Sequence, residues 1–440
     1  MPFMYRNAMR RLEEWKASPH RKPLILQGAR QVGKTWLAQE FGRRHFSDVA
    51  LVTFLDNQPM RAVFEGSLSP DRLLAAIAAD TGTRAGDEDV LIILDEIQEC
   101  PRALTSLKLF CEQRPEVPII AAGSLLGVSL HEGDSFPVGK VDHLDLYPMT
   151  FEEFLRAKGE DALVQLLRTD DFSLIDAFSE RYIDALRTYY FVGGMPEAVS
   201  TYLETGELLS ARTVQERLLY DYEHDFSKHT GGILAERIRE IWESAPSQLA
   251  RENKKFIYSA VRSGARARSY EEAIRWLVDA GLLIRVSRIS KPGLPLAAYK
   301  DSAAFKLYLL DIGLLGAASH LDVRTVISGS DLFREFKGAL TEQYVCQQLV
   351  ASGEVVPYYW TAERSDGEVD FVYDYGGAVV PVEVKAEVNL RAKSLASFAR
   401  TYDIEKSLRL SLAPFKQQDW LVNVPLYAVN LLPDAFEGWC

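Results

Sequence analysis

The stretch that most constrains this chain is Pro23 to Thr35, PLILQGARQVGKT. Leu24, Ile25 and Leu26 form a short apolar run, the pattern of a buried parallel strand. Gly28, Ala29, Arg30, Gln31, Val32, Gly33, Lys34 and Thr35 then match the phosphate-cradling P-loop. The glycines let the backbone fold back so that its N–H groups surround phosphate oxygens, and the next helix presents its N-terminus to them. Lys34 is placed to reach the β- and γ-phosphates, and the Thr35 hydroxyl to ligate Mg2+. A helical pattern from Trp36 to Phe46 completes a strand, loop and helix. Residues Gly28 to Trp36 are therefore the candidate nucleotide site, with ATP the expected ligand.

A chain of 440 residues is too long for one ordinary core, so several domains are expected. The hydrophobic share of 47% and charged share of 25% are those of a globular protein. No apolar run approaches the roughly 18 to 20 residues that span a bilayer. The N-terminus, MPFMYRNAMRRLEEW, lacks the apolar core of a signal peptide. Cys100, Cys111, Cys346 and Cys440 show neither disulfide density nor metal-ligand spacing, so a reducing cytoplasm is expected. The net charge of −12 argues against a nucleic-acid partner until its distribution is read. From Pro246 to Lys300 there are eleven Lys and Arg against four Asp and Glu, a net +7, which leaves −19 on the rest.

Strand and helix patterns alternate over the first 150 residues, which implies a parallel sheet with helices on its faces. Strands are expected at Val49 to Asp56, Val90 to Leu94 and Pro118 to Ala122, with helices at Pro70 to Asp80 and Ala103 to Glu112. The apolar run Val90 to Leu94 ends in Asp95-Glu96. Downstream of a P-loop this is the Walker B arrangement, in which Asp95 serves the Mg2+ site and Glu96 polarises the attacking water. Ser124, just past the Pro118 to Ala122 run, is either a sensor of phosphate state or a simple turn serine.

The order of P-loop, LIILDEIQ, AAGS, LDLYPMTFEEFL and YYFVGGMPEAV resembles a family of prokaryotic AAA+-type ATPases. In that family the ATPase core is followed by a C-terminal domain of unknown function with a nuclease-like fold. The resemblance spans nearly the whole chain. It implies an AAA+ module in which Lys34, Thr35, Asp95, Glu96 and Ser124 hold the roles above. Relatives often carry Arg where this chain has Lys140, and a lysine offers charge without the bidentate fork of an arginine finger. Arg102 and Arg114 are the alternatives. Sites of this kind commonly lie between subunits, so a homo-oligomer is one expectation and a slow monomer the other.

From Thr150 to Ala245 the pattern is helical, either a lid on the core or an unrelated connector. In the basic stretch, Tyr270, Ala273, Ile274, Leu277 and Val278 share one helical face, Gly281 stops the helix, and LLIRVSRI reads as a strand before a Pro292-Gly293 turn. This is the outline of a winged helix. Arg262, Arg266, Arg268, Arg275, Arg285 and Arg288 suit phosphate contacts to double-stranded DNA. Glu271, Glu272 and Asp279 on the same helix would oppose a major groove, and protein docking is the rival use.

The C-terminal hundred residues hold a second constellation. Glu342 lies in a helical pattern, Phe336 to Val350, and a hairpin follows whose strands are expected to end at Asp370 and at Glu383-Val384-Lys385. Asp, then Glu-x-Lys a hairpin later, with an upstream helical Glu, resembles the PD-(D/E)xK nuclease fold. Asp370 and Glu383, with Glu342, would hold Mg2+ or Mn2+ through oxygen, and Lys385 would orient water toward a phosphodiester. The plainer reading is ordinary strand patterning and a surface ion pair. Lys393 to Tyr402 reads as a helix, LRLSLA as a strand and VPLYAVNLLP as a final strand.

The expected architecture is α/β: a P-loop AAA+ core (1–150), a helical lid (151–245), a winged-helix-like module (246–330) and a restriction-endonuclease-like domain (331–440). The expected function is ATP hydrolysis with Mg2+, coupled to a C-terminal domain that cuts or binds DNA. Its rival is a nucleotide-dependent switch that binds a partner and cuts nothing.

Overall fold

Strands β1 (Leu24–Gln27), β2 (Asp48–Thr53), β3 (Val90–Asp95), β4 (Ile119–Ala122) and β5 (Asp142–Asp145) build one sheet in the order β2-β3-β4-β1-β5. Every pairing in it is parallel. The computed structural model describes residues 4–124, 137–169, 171–251, 254–328, 334–362, 367–386 and 392–432. Contacts divide the chain into two units, Tyr5–Tyr147 with Asp279–Leu282, and a second made chiefly of Pro148–Val278 and Leu283–Cys440.

In the first unit, β3 is buried along its whole length, and Leu91 to Leu94 have no exposed surface. Each such side chain contributes about 1.5–3 kcal/mol of burial. That explains why a continuous apolar run, with no alternation, marks this strand. β5 was not legible in the sequence because DHLD is a charged edge strand with only Leu144 buried. β4 lies between β1 and β3 and runs parallel to both, so the three segments Gly28–Thr35, Asp95-Glu96 and Gly123-Ser124 all lie at the C-terminal ends of neighbouring strands.

The second unit begins with helices. Phe151–Ala157 starts on a capping box in which Thr150 and Glu153 satisfy each other's backbone N–H groups. Longer helices follow at Ser179–Val192, Leu208–His229, Gly232–Leu249 and Ala267–Asp279. Tyr270, Ala273, Ile274 and Leu277 are buried on the last of these, and so is Trp276, set edge-on to Phe226.

An eight-stranded sheet closes the unit. Its strands are β6 (Leu283–Ile289), β7 (Lys300–Leu309), β8 (Tyr358–Thr361), β9 (Glu368–Tyr375), β10 (Ala378–Val384), β11 (Ser407–Ser411), β12 (Lys416–Gln417) and β13 (Leu421–Pro425), in the order β12-β13-β11-β10-β9-β8-β6-β7. β6 and β7, which the sequence suggests as a wing, pair with each other antiparallel, and β6 also pairs in parallel with β8. Ile289 and Leu296 share a core with Trp360, Val369, Val372 and Phe398. One sheet and one core thus run across the border drawn at residue 330.

Two further expectations are corrected. The hairpin is β9 with β10, joined by Gly376-Gly377 at φ 57° and 80°, the left-handed pair that a two-residue turn requires. Asp370 therefore lies near the start of β9 and not at a strand end. VPLYAVNLLP is not a strand: β13 ends at Pro425, and Leu426–Leu431 coil into a 3-10 turn. Proline offers no N–H to extend the ladder.

Candidate functional site

The nucleotide candidate is assembled by three strands of the first unit. Gly28 leaves β1 at φ 145°, and a Cβ there would stand 2.2 Å from the Leu146 carbonyl oxygen. Only glycine fits. Gln31 and Gly33 are also left-handed, at φ 66° and 93°, so the loop doubles back before the helix Lys34–His45 begins. Ala29 and Val32 are buried, Gln31 is exposed, and Arg30 and Trp36 are half-buried. The loop has an anchor that the sequence did not suggest: Arg6 donates to the carbonyls of Val32 (2.8 Å) and Tyr147 (2.6 Å).

Lys34 Nζ bends back onto the carbonyls of Gly28 (2.9 Å) and Ala29 (2.7 Å). Burial lowers its pKa from 10.5 to about 8, against the pull of Glu96 and Asp95. Thr35 Oγ1 stands 3.0 Å from each oxygen of Asp95, whose own pKa burial pushes up. A hydroxyl and a carboxylate facing one point are a donor set of hard oxygens, which fits Mg2+. Glu96 follows in a left-handed turn, φ 51°, and accepts from Gln98. Ser124 is buried just past β4. The three candidate finger cations are all engaged. Lys140 pairs with Glu112 at 3.0 Å. Arg102 donates to the carbonyls of Phe64 and Gly66, and Arg114 to Asp71 and Glu116.

The second candidate lies wholly in the second unit. Oxygens of Glu342, Glu368 and Asp370 lie within 4.8 Å of one another. Glu368 and Asp370 are two apart on β9 and so share a face. Glu342 comes from the helix Arg334–Ser352, which docks on β7 because the Gln343 amide bonds both backbone groups of Leu309, at 3.0 and 2.6 Å. Glu342 accepts from Tyr308 (3.1 Å) and pairs with Lys254 (2.8 Å) and Lys306 (3.8 Å). Lys306 has no exposed surface and also pairs with Glu368. Burial opposes the charge on Glu342, yet the two lysines hold its pKa at about 2. Burial and the nearby Glu342 push Asp370 the other way, well above the carboxylate range. Asp370 also accepts the backbone N–H of Val384 at 2.7 Å, at the end of β10.

Of the residues expected here, Glu342 and Asp370 meet. Glu383 does not join their cluster: its Oε1 pairs with Lys385 at 2.5 Å, and its Oε2 is buried without a hydrogen-bond partner. Despite burial, that pairing keeps the pKa of Lys385 raised. The carboxylate that completes the cluster is Glu368, and the sequence reading missed it along with Lys254 and Lys306. One signal for Lys306 was present: a lysine inside the apolar run AAFKLYLL.

The basic residues separate into two groups. Arg285 bonds Glu271 (2.6 Å) and lies over the Phe305 ring, and Arg288 chelates Asp301 at 3.1 and 2.6 Å. Arg262, Arg266, Arg268 and Arg275 are exposed, with Arg262 3.4 Å from Glu240. Among the described residues no helix is long and apolar enough to cross a membrane.

Residues 20–155 match the family model of an AAA domain. This stretch is an AAA-type ATPase core. Residues 183–325 and 337–428 match two models described as domains of unknown function, DUF8612 and DUF4143. No curated protein matches the chain. Among solved structures, the Walker-type ATPase of Pyrococcus abyssi aligns at 15% identity and a TM-score of 0.45, over 72% of this chain and 96% of that one. The Orc1 protein of Aeropyrum pernix, solved with DNA, aligns at 15% and 0.30, over 72% and 93%. The RuvB Holliday junction branch migration motor of Thermotoga maritima aligns at 17% and 0.29, over 64% and 90%.

Proposed function

We propose that the chain hydrolyses ATP with Mg2+ at the Gly28–Thr35 loop and that its second unit carries a metal-dependent site for DNA phosphodiesters. The observation that carries the first part is the approach of Thr35 to Asp95, which brings the helix after β1 and the end of β3 to one point 3.0 Å apart. ATP would take the Lys34 ammonium from the carbonyls of Gly28 and Ala29, since a polyphosphate is the stronger acceptor. Thr35 and Asp95 would hold Mg2+, which neutralises charge on the phosphates. Glu96 would orient the attacking water, and Ser124 would report phosphate state to the chain beyond β4. Lys140, Arg102 or Arg114 of another copy would act as the finger in a homo-oligomer only after leaving its present partner, and otherwise turnover stays slow.

The second part rests on the three clustered carboxylates with Lys385 beside them. Glu342, Glu368 and Asp370 would hold one Mg2+ or Mn2+, which supplies Lewis-acid polarisation of a phosphate. Lys385, steered by Glu383, would place the water. Arg262, Arg266, Arg268 and Arg275 would take the DNA backbone. The rival reading keeps the fold and the ATPase but makes the second unit a partner-binding platform.

Phosphate release from ATP tests the first part, with Lys34→Ala and Glu96→Gln both expected to abolish turnover and only Glu96→Gln keeping nucleotide binding. Nicking of circular plasmid DNA with Mn2+, with and without ATP, tests the second. Cleavage lost in Asp370→Ala supports the phosphodiester site, whereas no cleavage under any metal or nucleotide favours the platform.

A further inference from the structure

Lys254 pairs with one oxygen of the carboxylate cluster. It follows the helix Gly232–Leu249, outside any regular element, and reaches Glu342 Oε1 at 2.8 Å. The chain is pinned close to it: Phe256 N–H donates to the Phe305 carbonyl at 2.8 Å, next to Lys306 on β7. The two lysines differ in freedom. Lys306 is sealed inside a strand with no exposed surface, whereas the Lys254 side chain is 16% exposed. A lysine stem has four rotatable carbons, so the Lys254 ammonium can swing out while that of Lys306 stays.

Outside the cluster, the second strand of the hairpin holds an acceptor atom with nothing to accept. Glu383, only 6% exposed, leaves Oε2 buried and without a hydrogen-bond partner. A buried carboxylate oxygen in that state costs free energy until a cation, a water or a donor reaches it. Glu383 is tied to Lys385, whose ammonium is in turn drawn by Asp370 and Glu342. One oxygen of Glu383 is thus left without a donor, whereas Glu342 is supplied with two ammonium groups.

We propose that Lys254 is a displaceable counter-ion that excludes a divalent cation from Glu342 until a phosphodiester draws the lysine away. This rests on the reading of Glu342, Glu368 and Asp370 as a metal site. The Lys254 ammonium has three donors, but a backbone phosphate would compete with Glu342 for its charge and draw the stem away from the 2.8 Å pairing. A nucleic-acid strand that binds it frees a carboxylate oxygen for metal, so substrate and metal bind with positive coupling. By reciprocity, metal tightens the strand equally. In the absence of a strand the site holds a divalent cation only weakly.

The test is Mn2+ binding to the full-length, nucleotide-free protein, followed by electron paramagnetic resonance. The probe strand is a phosphorothioate duplex that resists cleavage. Lys254→Met is expected to bind Mn2+ about tenfold more tightly than the unmodified protein, within the usual range of such couplings. The duplex is expected to tighten Mn2+ binding in the unmodified protein and to leave that of Lys254→Met unchanged. Lys254→Arg, which keeps the charge, is expected to keep the coupling. Mn2+ binding that is lost in Asp370→Ala but indifferent to both the duplex and Lys254→Met overturns the proposal and leaves the metal site standing. Binding indifferent to Asp370→Ala overturns the metal site and the proposal together. Because the duplex effect is read on the unmodified protein, an unstable Lys254→Met does not shield the idea.

Discussion

Thr35 Oγ1 and the Asp95 carboxylate meet at 3.0 Å although 60 positions separate them in the chain. The equal distances describe a three-centre bond in which the hydroxyl proton is shared by both carboxylate oxygens. Thr35→Val keeps the shape of the side chain and removes that hydroxyl. It is expected to weaken binding of ATP with Mg2+ about 10- to 100-fold, the usual effect of disturbing a metal's surroundings. Metal-free nucleotide should bind almost as before. Calorimetric titrations with and without Mg2+ check this, and equal losses under both conditions would place the role of Thr35 in the loop's shape.

The buried ammonium of Lys34 sets a pH dependence. Its pKa of about 8 lies below the ordinary 10.5, so the free protein sheds this proton as pH rises through 8. Phosphate favours the charged form, so binding above pH 8 must return the proton. ATP affinity is therefore expected to be level below pH 7.5 and to fall as pH climbs through 8, with proton uptake on binding. Lys34→Arg stays charged and should flatten the profile. Titrations in two buffers of different ionisation enthalpy measure the uptake directly.

The cluster around Lys306 carries a stability prediction. Lys306 is fully buried between Glu342 and Glu368, so Lys306→Met leaves two carboxylates with less compensation than they have now. Removing one partner of a buried pair costs about 3–5 kcal/mol. Glu368→Gln added to Lys306→Met should restore part of the loss, a coupling of about 1 kcal/mol or more. Denaturant unfolding of the single and double variants checks both numbers. Strict additivity would mean that the lysine is held by packing alone.

The loop Gly28–Thr35 and the strand before Asp95 were legible because their signals are local. Gly28, Gly33, Lys34 and Thr35 adjoin in sequence, and the apolar run before Asp95 announces its own strand. The C-terminal carboxylate cluster was half legible. Glu342 and Asp370 stood out by order, but Glu368 looked like any acid at the head of a strand. Lys254 and Lys306 belonged, in sequence, to another module. Nothing local to LLIRVSRI says that Ser287 to Ile289 will pair with Tyr358 to Trp360, some seventy positions on. A helix declares its buried face by period, whereas a strand's partner is chosen by the whole sheet.

The arginines carry the last prediction. Six were expected to face DNA, and the ion pairs of Arg285 with Glu271 and Arg288 with Asp301 bind two of them into the fold. Arg266, Arg268 and Arg275 are exposed and adjoin or lie on the helix Ala267–Asp279. Each phosphate contact steepens the dependence of binding on salt by about 0.9 in the log–log slope. The triple change of these three to Ala is therefore expected to weaken duplex binding and to flatten the slope by about 2 to 3. Arg285→Ala and Arg288→Ala should lower thermal stability and leave the slope as it was. Fluorescence anisotropy with a labelled duplex across a salt series reads these effects. A triple variant with an unchanged slope would remove this face from the DNA reading, and the acids Glu271, Glu272 and Asp279 would then mark it as a surface for protein.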